Sequence, residues 1–540
     1  MTTQSLNGDQ AMAYGALAGG VKVVTSYPGS PSSGTVEMLI GSALKHEIYV
    51  EWSANEKVAM EIGIGASMTG RRALVCTKSV GLNVMIDPLM ALNLTPVHGG
   101  LVILLGDDPG AYGSQNDQDS RPLALHMEML MLEPSSPAEA YAMMHEAFIL
   151  SEKHHTAVII RETRSFTQQS MPVEIPDGPY PQPDLGVVRE PYRFVPVPIN
   201  AVAKHRALHA TLKAIIPWAE KTAYNRILGA GRKGVVGVGF ASRKILDILD
   251  GEPPDSFRLL KLGVLYPLPR KIIADFLRES EEVLVVEENG PFIESQLKAL
   301  AHELGSSAKI LGKQGGYLPD EGEVFRWRIQ NALSQWLPEF IPKKTFLKEN
   351  EDDEKPTKRS FCGGCRYEEV LDKLEEASKG FGQNPFLIGD PGCLVTVADR
   401  LDAKYAMGSA VGVADGVSKA GCKERAVAIF GDSAFFHTAL PAVCNAVHNR
   451  SRILMIILDN KATSASGFQP NPGVGRNALG QNAPALDIER IVRACGVKSI
   501  FTSNLDDTAP PLAEVFRNAL NSSGLTLVVV RIDKKTHRAL

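Results

Sequence analysis

Unbroken apolar runs of five or six residues recur between helix-patterned stretches along this 540-residue chain, and that alternation limits its folds more than any other feature. Leu101–Leu105, Ala426–Phe430 and Ile453–Leu458 contain no polar residue at all. A strand with one wet face alternates apolar and polar side chains, whereas a strand covered on both faces reads as continuous apolar sequence. Such runs separated by helices point to parallel strands with helices on either side, so the expected fold class is α/β, with doubly wound parallel sheets. The chain is too long for one core and should form several domains. The same runs are far too short to cross a bilayer. A net charge of −4 leaves no basic field for nucleic acid. The opening MTTQSLNGDQ has no basic stretch followed by an apolar one, and seven cysteines make no disulfide framework. The expectation is a cytoplasmic enzyme with no membrane or nucleic-acid partner.

Within residues 1–165 strands are expected at Val21–Tyr27, Ala73–Thr77, Leu101–Gly106 and Ala157–Arg161, with helices at Glu56–Ser67 and Ala138–Glu152. Met171–Pro198 holds eight prolines in 28 residues and reads as an extended linker. A second α/β stretch follows, with strands at Gly234–Gly239 and Val283–Glu287 and helices at Ser242–Leu249 and Pro291–Leu304. Nine of the twelve residues from Lys348 to Arg359 are charged, the pattern of a solvated connector. Beyond it, strands are expected near Phe386–Ile388, Ala426–Phe430, Ile453–Leu458 and Thr526–Arg531.

The Ala426–Phe430 run leads into Gly431-Asp432-Ser433, then a helix (Leu440–His448), then Ile453–Leu458 leading into Asp459-Asn460. Twenty-five residues separate Ser433 from Asp459, which suits one βαβ unit. In a parallel sheet the carboxyl ends of neighbouring strands lie side by side, where ligands bind. A carboxylate and an amide oxygen converging there suit magnesium holding a diphosphate, since the ion takes oxygen ligands and phosphates supply part of its shell. Gly431 permits close approach of the backbone, and the following helix start favours anions. Either dipeptide alone is ordinary turn chemistry. Their pairing at this separation is specific.

GDS, 25 residues, then DN resembles the metal motif of thiamine-diphosphate enzymes. The resemblance implies Asp432 and Asn460 as magnesium ligands through their side chains and Ala462 through its carbonyl. Ser433 stands where the family usually has glycine. MGSAVGVADG (Met407–Gly416), with Gly408, is similar to the family's glycine-rich helix entry beside the diphosphate. TSYPGSPSS (Thr25–Ser33), EWSANEKVAMEIGIGAS (Glu51–Ser67), TKSVGLNVMIDPLMALN (Thr77–Asn93), GDDPGAYGSQNDQDSR (Gly106–Arg121), CGGC, GDPGC (Gly389–Cys393) and GDSAFFHTALPAVCNAV (Gly431–Val447) together resemble the α subunit of indolepyruvate:ferredoxin oxidoreductases, in order and over nearly the whole chain. This implies a pyrimidine-binding domain (1–170), a proline-rich linker and connecting segment (171–229), a transketolase C-terminal-like domain (230–346), a charged linker (347–360) and a diphosphate- and magnesium-binding domain (361–540).

The activity implied is oxidative decarboxylation of an (aryl) 2-oxo acid to acyl-CoA, with a smaller partner subunit, CoA and an external electron carrier such as ferredoxin. The coenzyme's thiazolium ring serves as the electron sink. Of Glu51, Glu56 and Glu61, the family match favours Glu56 as the carboxylate on the aminopyrimidine nitrogen; otherwise Glu56 is a helix-start glutamate favoured by the macrodipole. Ser30 matches a position whose hydroxyl lies near substrate, or else caps its turn. Arg121 is a candidate for a substrate carboxylate, or else a surface arginine. His437 is a candidate for proton transfer near the cofactor, or else a structural histidine. Lys78-Ser79 stands where the family leads one to expect Lys-His, which leaves the substrate side chain open. A homodimer or heterotetramer is the expected assembly.

The family's α subunit usually continues into a ferredoxin-like domain with two four-cysteine motifs, whereas this sequence runs to Leu540 with only Cys495 after Cys444. That raises a second reading, a non-oxidative thiamine-diphosphate decarboxylase or carboligase. Cys362, Cys365 and Cys393 are candidates for an iron–sulfur cluster, which as a rule needs four thiolates; the alternative is a tight turn lining the cofactor site. Cys76, Cys422 and Cys495 read as buried small hydrophobes. The Met127-Met129-Met131 stretch reads as core or interface packing.

Overall fold

The computed structural model describes residues 2–176, 180, 183–190, 192–348, 365–379, 384–505 and 509–532. The chain divides into two compact units, Met1–Glu51 with Glu56–Thr357, and Trp52–Asn55 with Lys358–Leu540. The fold class is α/β and multidomain, with parallel sheets. No helix among the described residues is long and apolar enough to cross a membrane.

In the first unit the seven-stranded sheet runs in the order Val264–Tyr266, Leu130–Leu132, Val158–Thr163, Leu101–Asp107, Ala73–Lys78, Val23–Ser26, Tyr49–Trp52. The three strands Val158–Thr163, Leu101–Asp107 and Ala73–Lys78 pair in parallel, as do Ala73–Lys78 and Val23–Ser26. Leu101–Asp107 is buried at every position, as an uninterrupted apolar run requires. The five-stranded sheet runs Lys309–Leu311, Glu282–Val286, Lys233–Val238, Phe257–Leu262, Arg226–Gly229, the last antiparallel. The two sheets share one core. Val75, Leu101 and Ile103 from the first pack with Val236, Leu260 and Val283 from the second, and Met127, Met129 and Met131 lie among them. The methionine stretch is therefore core.

A buried ionic network also ties these sheets together. Arg161, on the first sheet, bonds Asp107 (2.7 Å), Glu133 (2.6 Å) and Asn289 (3.2 Å). Lys244, in the helix Phe240–Ile248, bonds Glu288 (2.7 Å) and Glu323 (3.1 Å). Removing one member of such a pair strands a buried charge, at a cost of about 3–5 kcal/mol.

Two departures from the linker reading occur in 171–198. Met171–Ile175 is a strand, paired antiparallel with Thr2–Leu6 in a sheet of two. Pro172 is tolerated because each strand of a two-stranded sheet is an edge. Pro198 then opens a 22-residue helix, Pro198–Ala219, where proline's fixed φ suits the first turn. A third departure is Val264–Tyr266. Its place in sequence lies within 230–346, yet it pairs with Leu130–Leu132 at the edge of the first sheet.

In the second unit the six-stranded sheet runs Ala403–Lys404, Phe386–Gly389, Ala426–Gly431, Leu454–Asp459, Thr526–Arg531, Ser499–Asn504, parallel throughout. Successive side chains leave on opposite faces. Val427, Ile429, Ile456 and Val528 serve a core with the helices Tyr367–Ser378 and Leu512–Asn521. Ala428, Phe430, Ile457 and Val529 serve the other, with the helices Ala410–Lys419 and Leu440–His448. Most of the charged connector falls outside the described residues.

Candidate functional site

The register Gly431↔Leu458 sets the ends of two neighbouring parallel strands together, so Asp432 and Asn460 leave the sheet from adjacent positions. Asp432 opens a short helical turn (Asp432–Ala434) that passes through a π-helical stretch, Phe435–Ala439, into Leu440–His448. Single π turns of this kind are frequent at functional sites. Asp432 is 1% exposed. Burial pushes its carboxyl up to about 7, and neighbouring Asp459 adds to this. A cation there would favour the ionised form.

Its oxygens accept from the Ser433 amide (3.0 Å) and from Asn471 Nδ2 (2.9 Å). Ser433 Oγ donates to the Ala462 carbonyl (3.2 Å), meets Thr463 Oγ1 (3.0 Å) and accepts from Asn471 Nδ2 (3.1 Å). Asn460 Oδ1 accepts from the Ala462 amide (3.2 Å), and its Nδ2 donates to Ser464 (2.7 Å). Asp432, Ser433, Asn460 and Ala462 thus meet in one turn pair. Gly431 borders open space, since a Cβ on it would meet nothing within 4 Å. The donor set is a carboxylate, an amide oxygen and a carbonyl, beside room for a ligand. It fits magnesium and a diphosphate.

Three partners escaped the sequence reading. Asn471 is one; its Oδ1 accepts from the Gly473 amide (2.9 Å), which turns its Nδ2 toward Asp432. Asp390, within GDPGC, is fully buried and accepts from the amides of Gly408 (2.7 Å) and Ala410 (2.9 Å). It seats the glycine-rich helix entry. Gly408 itself has φ +78°, and a Cβ there would lie 2.1 Å from Thr438 Oγ1. Tyr367 is the third, and burial raises its phenol well above the usual value, with Cys393, Asp432, Cys365 and Asp459 adding to the effect. Motif matching sees none of these contacts, because each joins separated segments.

His437 lies in the π stretch, buried, with Nδ1 3.2 Å from Thr438 Oγ1. Its backbone carbonyl accepts from Asn55 Nδ2 (2.7 Å), within the segment grouped with this unit.

Cys365 and Cys393 pack on one face of the sheet, and Cys362 lies outside the described residues. Cys495 packs on the opposite face, 3.6 Å from Cys444. Cys422 is exposed rather than buried, because it falls past the end of its helix, and Cys495 is half-buried. Of the three cysteines read as core, only Cys76 is fully buried.

In the first unit the candidates collect at the carboxyl edge of the seven-stranded sheet, where α/β sheets bind ligands. Glu56, 5% exposed, opens the helix Glu56–Met68 after Tyr49–Trp52. It lies against Gly81, where an added Cβ would stand 2.6 Å from Glu56 Oε1 and 2.4 Å from Thr77 Oγ1. Ser30 is exposed in the turn after Val23–Ser26. Lys78 ends the neighbouring strand. Its stem crosses Gly29 and its ammonium donates to the Gly113 carbonyl (3.1 Å).

Arg121 is neither at the surface nor open to a ligand. It is fully buried, bonding Asp119 (2.8 and 2.9 Å), Glu287 (2.6 Å) and the Gly290 carbonyl (2.7 Å). The neighbouring guanidinium holds Asp119 down at about 2. Burial in the shared core, which sequence spacing does not reveal, recruits Arg121 into the interior network.

Residues 14–191 match the family model described as pyruvate flavodoxin/ferredoxin oxidoreductase, thiamine diP-binding. Residues 402–530 match that of the thiamine pyrophosphate enzyme C-terminal TPP-binding domain. The indolepyruvate oxidoreductase subunit IorA of Methanothermobacter marburgensis is 35% identical over 537 residues, 97% of this chain and 86% of that protein. The subunit of the same name from Pyrococcus abyssi is 33% identical over 561 residues, 97% of this chain and 85% of that protein. Among solved structures, a 2-oxoglutarate:ferredoxin oxidoreductase from Magnetococcus marinus is similar at 16% identity, with a TM-score of 0.49 over 62% of this chain and 65% of that one.

Proposed function

The chain belongs to the family of indolepyruvate oxidoreductase A subunits, thiamine-diphosphate enzymes, and on that premise we propose that it is the α subunit of a ferredoxin-type oxidoreductase converting an aryl 2-oxo acid and CoA to acyl-CoA and CO2. The observation that carries this reading is the convergence of Asp432, Asn460 and the Ala462 carbonyl at two adjacent parallel strand ends. Bound thiamine diphosphate supplies the electron sink for decarboxylation.

On this reading Asp432, Asn460 and Ala462 hold magnesium, and Gly431, Ser433 and the Gly408 turn seat the diphosphate. Glu56 serves the pyrimidine end. A carboxylate 5% exposed and packed on Gly81 is shielded from bulk water, and with the coenzyme bound it would hold a proton for the aminopyrimidine nitrogen. With Arg121 committed to the interior, Lys78 is the cation set against the Ser30 turn, and it suits the substrate carboxylate. His437, buried on the metal turn, is the proton-transfer candidate at that end.

Cys365 and Cys393 line the Tyr367 side of the turn. Clusters as a rule take four thiolates, and the sheet separates these two from Cys495. Electrons then leave to an external carrier such as ferredoxin, and a smaller partner subunit completes the enzyme, as a homodimer or heterotetramer of the pair.

The test is the purified complex with its partner subunit, given an aryl 2-oxo acid, CoA and a low-potential dye. Acyl-CoA formation coupled to dye reduction is expected. The Glu56→Gln variant should retain coenzyme and lose at least about 100-fold in turnover. Free aldehyde released without acceptor would instead mean a non-oxidative decarboxylase, and unchanged turnover in the variant would reject Glu56.

A further inference from the structure

Far from the cofactor residues in sequence, two histidines one helical turn apart aim at a single carboxylate. His205 and His209 lie at i and i+4 on the helix Pro198–Ala219, so their side chains share a face. Leu208 and Leu212 on the same helix are buried, which holds the two histidines at the rim of the packed face. Glu128 caps the helix Arg121–Met127 in a left-handed conformation, φ 53°. His205 Nε2 stands 2.7 Å from Glu128 Oε2, and His209 Nε2 stands 2.7 Å from Oε1. The two rings lie 4.4 Å apart. One ligand atom from each of the three residues falls within 4.8 Å of the others.

We propose that Glu128, His205 and His209 bind a divalent cation of the zinc class and so clamp the Pro198–Ala219 helix to the end of Arg121–Met127. Two imidazole nitrogens and one carboxylate oxygen are a donor set for zinc, cobalt or nickel; magnesium and calcium prefer oxygen throughout. In a carboxylate-only arrangement each Nε2 must carry a proton to reach the acceptor-only oxygens. When the cation binds, each neutral ring moves that proton from Nε2 to Nδ1, which frees the Nε2 lone pair to coordinate with no net proton released. Zinc bonds of about 2.0–2.2 Å place neighbouring ligands about 3.3 Å apart. The present 2.7 Å spacings therefore open by about 0.6 Å, a small rotation for histidine side chains about half exposed. Three protein ligands leave the remaining position to water. Helix pairs at i and i+4 also seat zinc elsewhere, since one face presents both rings to one point.

The experiment is titration of the full, chelator-treated chain with Zn2+, followed by calorimetry, beside the His205→Gln/His209→Gln variant. Wild type should take one equivalent more than the variant, with affinity for that equivalent falling at least about 100-fold on substitution. Co2+ in its place should give a visible d–d spectrum without the sulfur-to-metal band that Cys365, Cys393, Cys444 or Cys495 would add. Zinc should raise the melting temperature of wild type and leave the variant's unchanged. Both histidines are half exposed, so the variant should fold, and its circular dichroism verifies this. Equal stoichiometry and affinity in the two proteins would overturn the site. So would a cobalt spectrum that shows only thiolate ligation, or a variant less stable without metal and no different with it.

Discussion

At the scale of single residues, the turn that follows Gly431 depends on a side chain that no motif contains. Asn471 is oriented by the Gly473 amide and donates to Asp432 and Ser433 together. Asn471→Ala should leave the fold intact and weaken magnesium-dependent coenzyme binding about 10- to 100-fold, the usual effect of removing a residue that positions a metal ligand. Quenching of intrinsic fluorescence by thiamine diphosphate at fixed Mg2+ measures it; unchanged affinity would make Asn471 a bystander. That Asp432 and Asn460 leave neighbouring strand ends was legible because both follow apolar runs. Asn471 was not, because nothing local marks a residue 39 positions away as its neighbour. Arg121 failed for the converse reason. Its sequence offered a partner for a substrate carboxylate or a surface arginine, and only burial between two sheets commits its guanidinium to Asp119 and Glu287.

At the scale of elements, helix Glu56–Met68 packs against the helix Ser79–Leu92, and the Glu56 side chain lies over Gly81. The atoms that a Cβ would strike there belong to Glu56 and Thr77 side chains, so a methyl group displaces the carboxylate rather than the backbone. Gly81→Ala should therefore cost about 100-fold in turnover, as an ångström's misplacement can, while the melting temperature moves by only a few degrees. Turnover close to wild type would mean that the Glu56 carboxylate has freedom to spare. Most helix and strand positions were legible, since periodicity reports burial directly. The Met171–Ile175 strand was hidden, because its proline content signals a linker and only its partner Thr2–Leu6 gives it hydrogen bonds.

At the scale of the whole molecule, buried carboxyls give stability a dependence on pH. Burial pushes Asp9 and Asp390 up to about 7, and raises Glu162 well above its usual value. The unfolded chain releases the same protons near pH 4. Between about pH 4 and 7 the folded state binds more protons, so stability falls as pH rises. Asp119 and Glu288, whose pKa values are lowered, act in the opposite sense below that window, and His46, His145 and His154, which burial lowers from 6.5, oppose the carboxyls in its upper part. The urea midpoint of the coenzyme-free chain should thus be higher at pH 5 than at pH 8. Asp390→Asn should flatten part of the slope. A midpoint that climbs over this range would show that these carboxyls are solvated after all.

What the residues alone determined was the α/β class, the parallel strands and the ends at which Asp432 and Asn460 leave them, because continuous apolar runs and their spacing are properties of local sequence. Tertiary structure decided which polar groups face one another: Asn471 on Asp432, Asp390 under the Gly408 turn, Arg121 inside the shared core, and both histidines on Glu128. Those pairings arise from burial and from strand order, and neither is encoded within any single segment of chain.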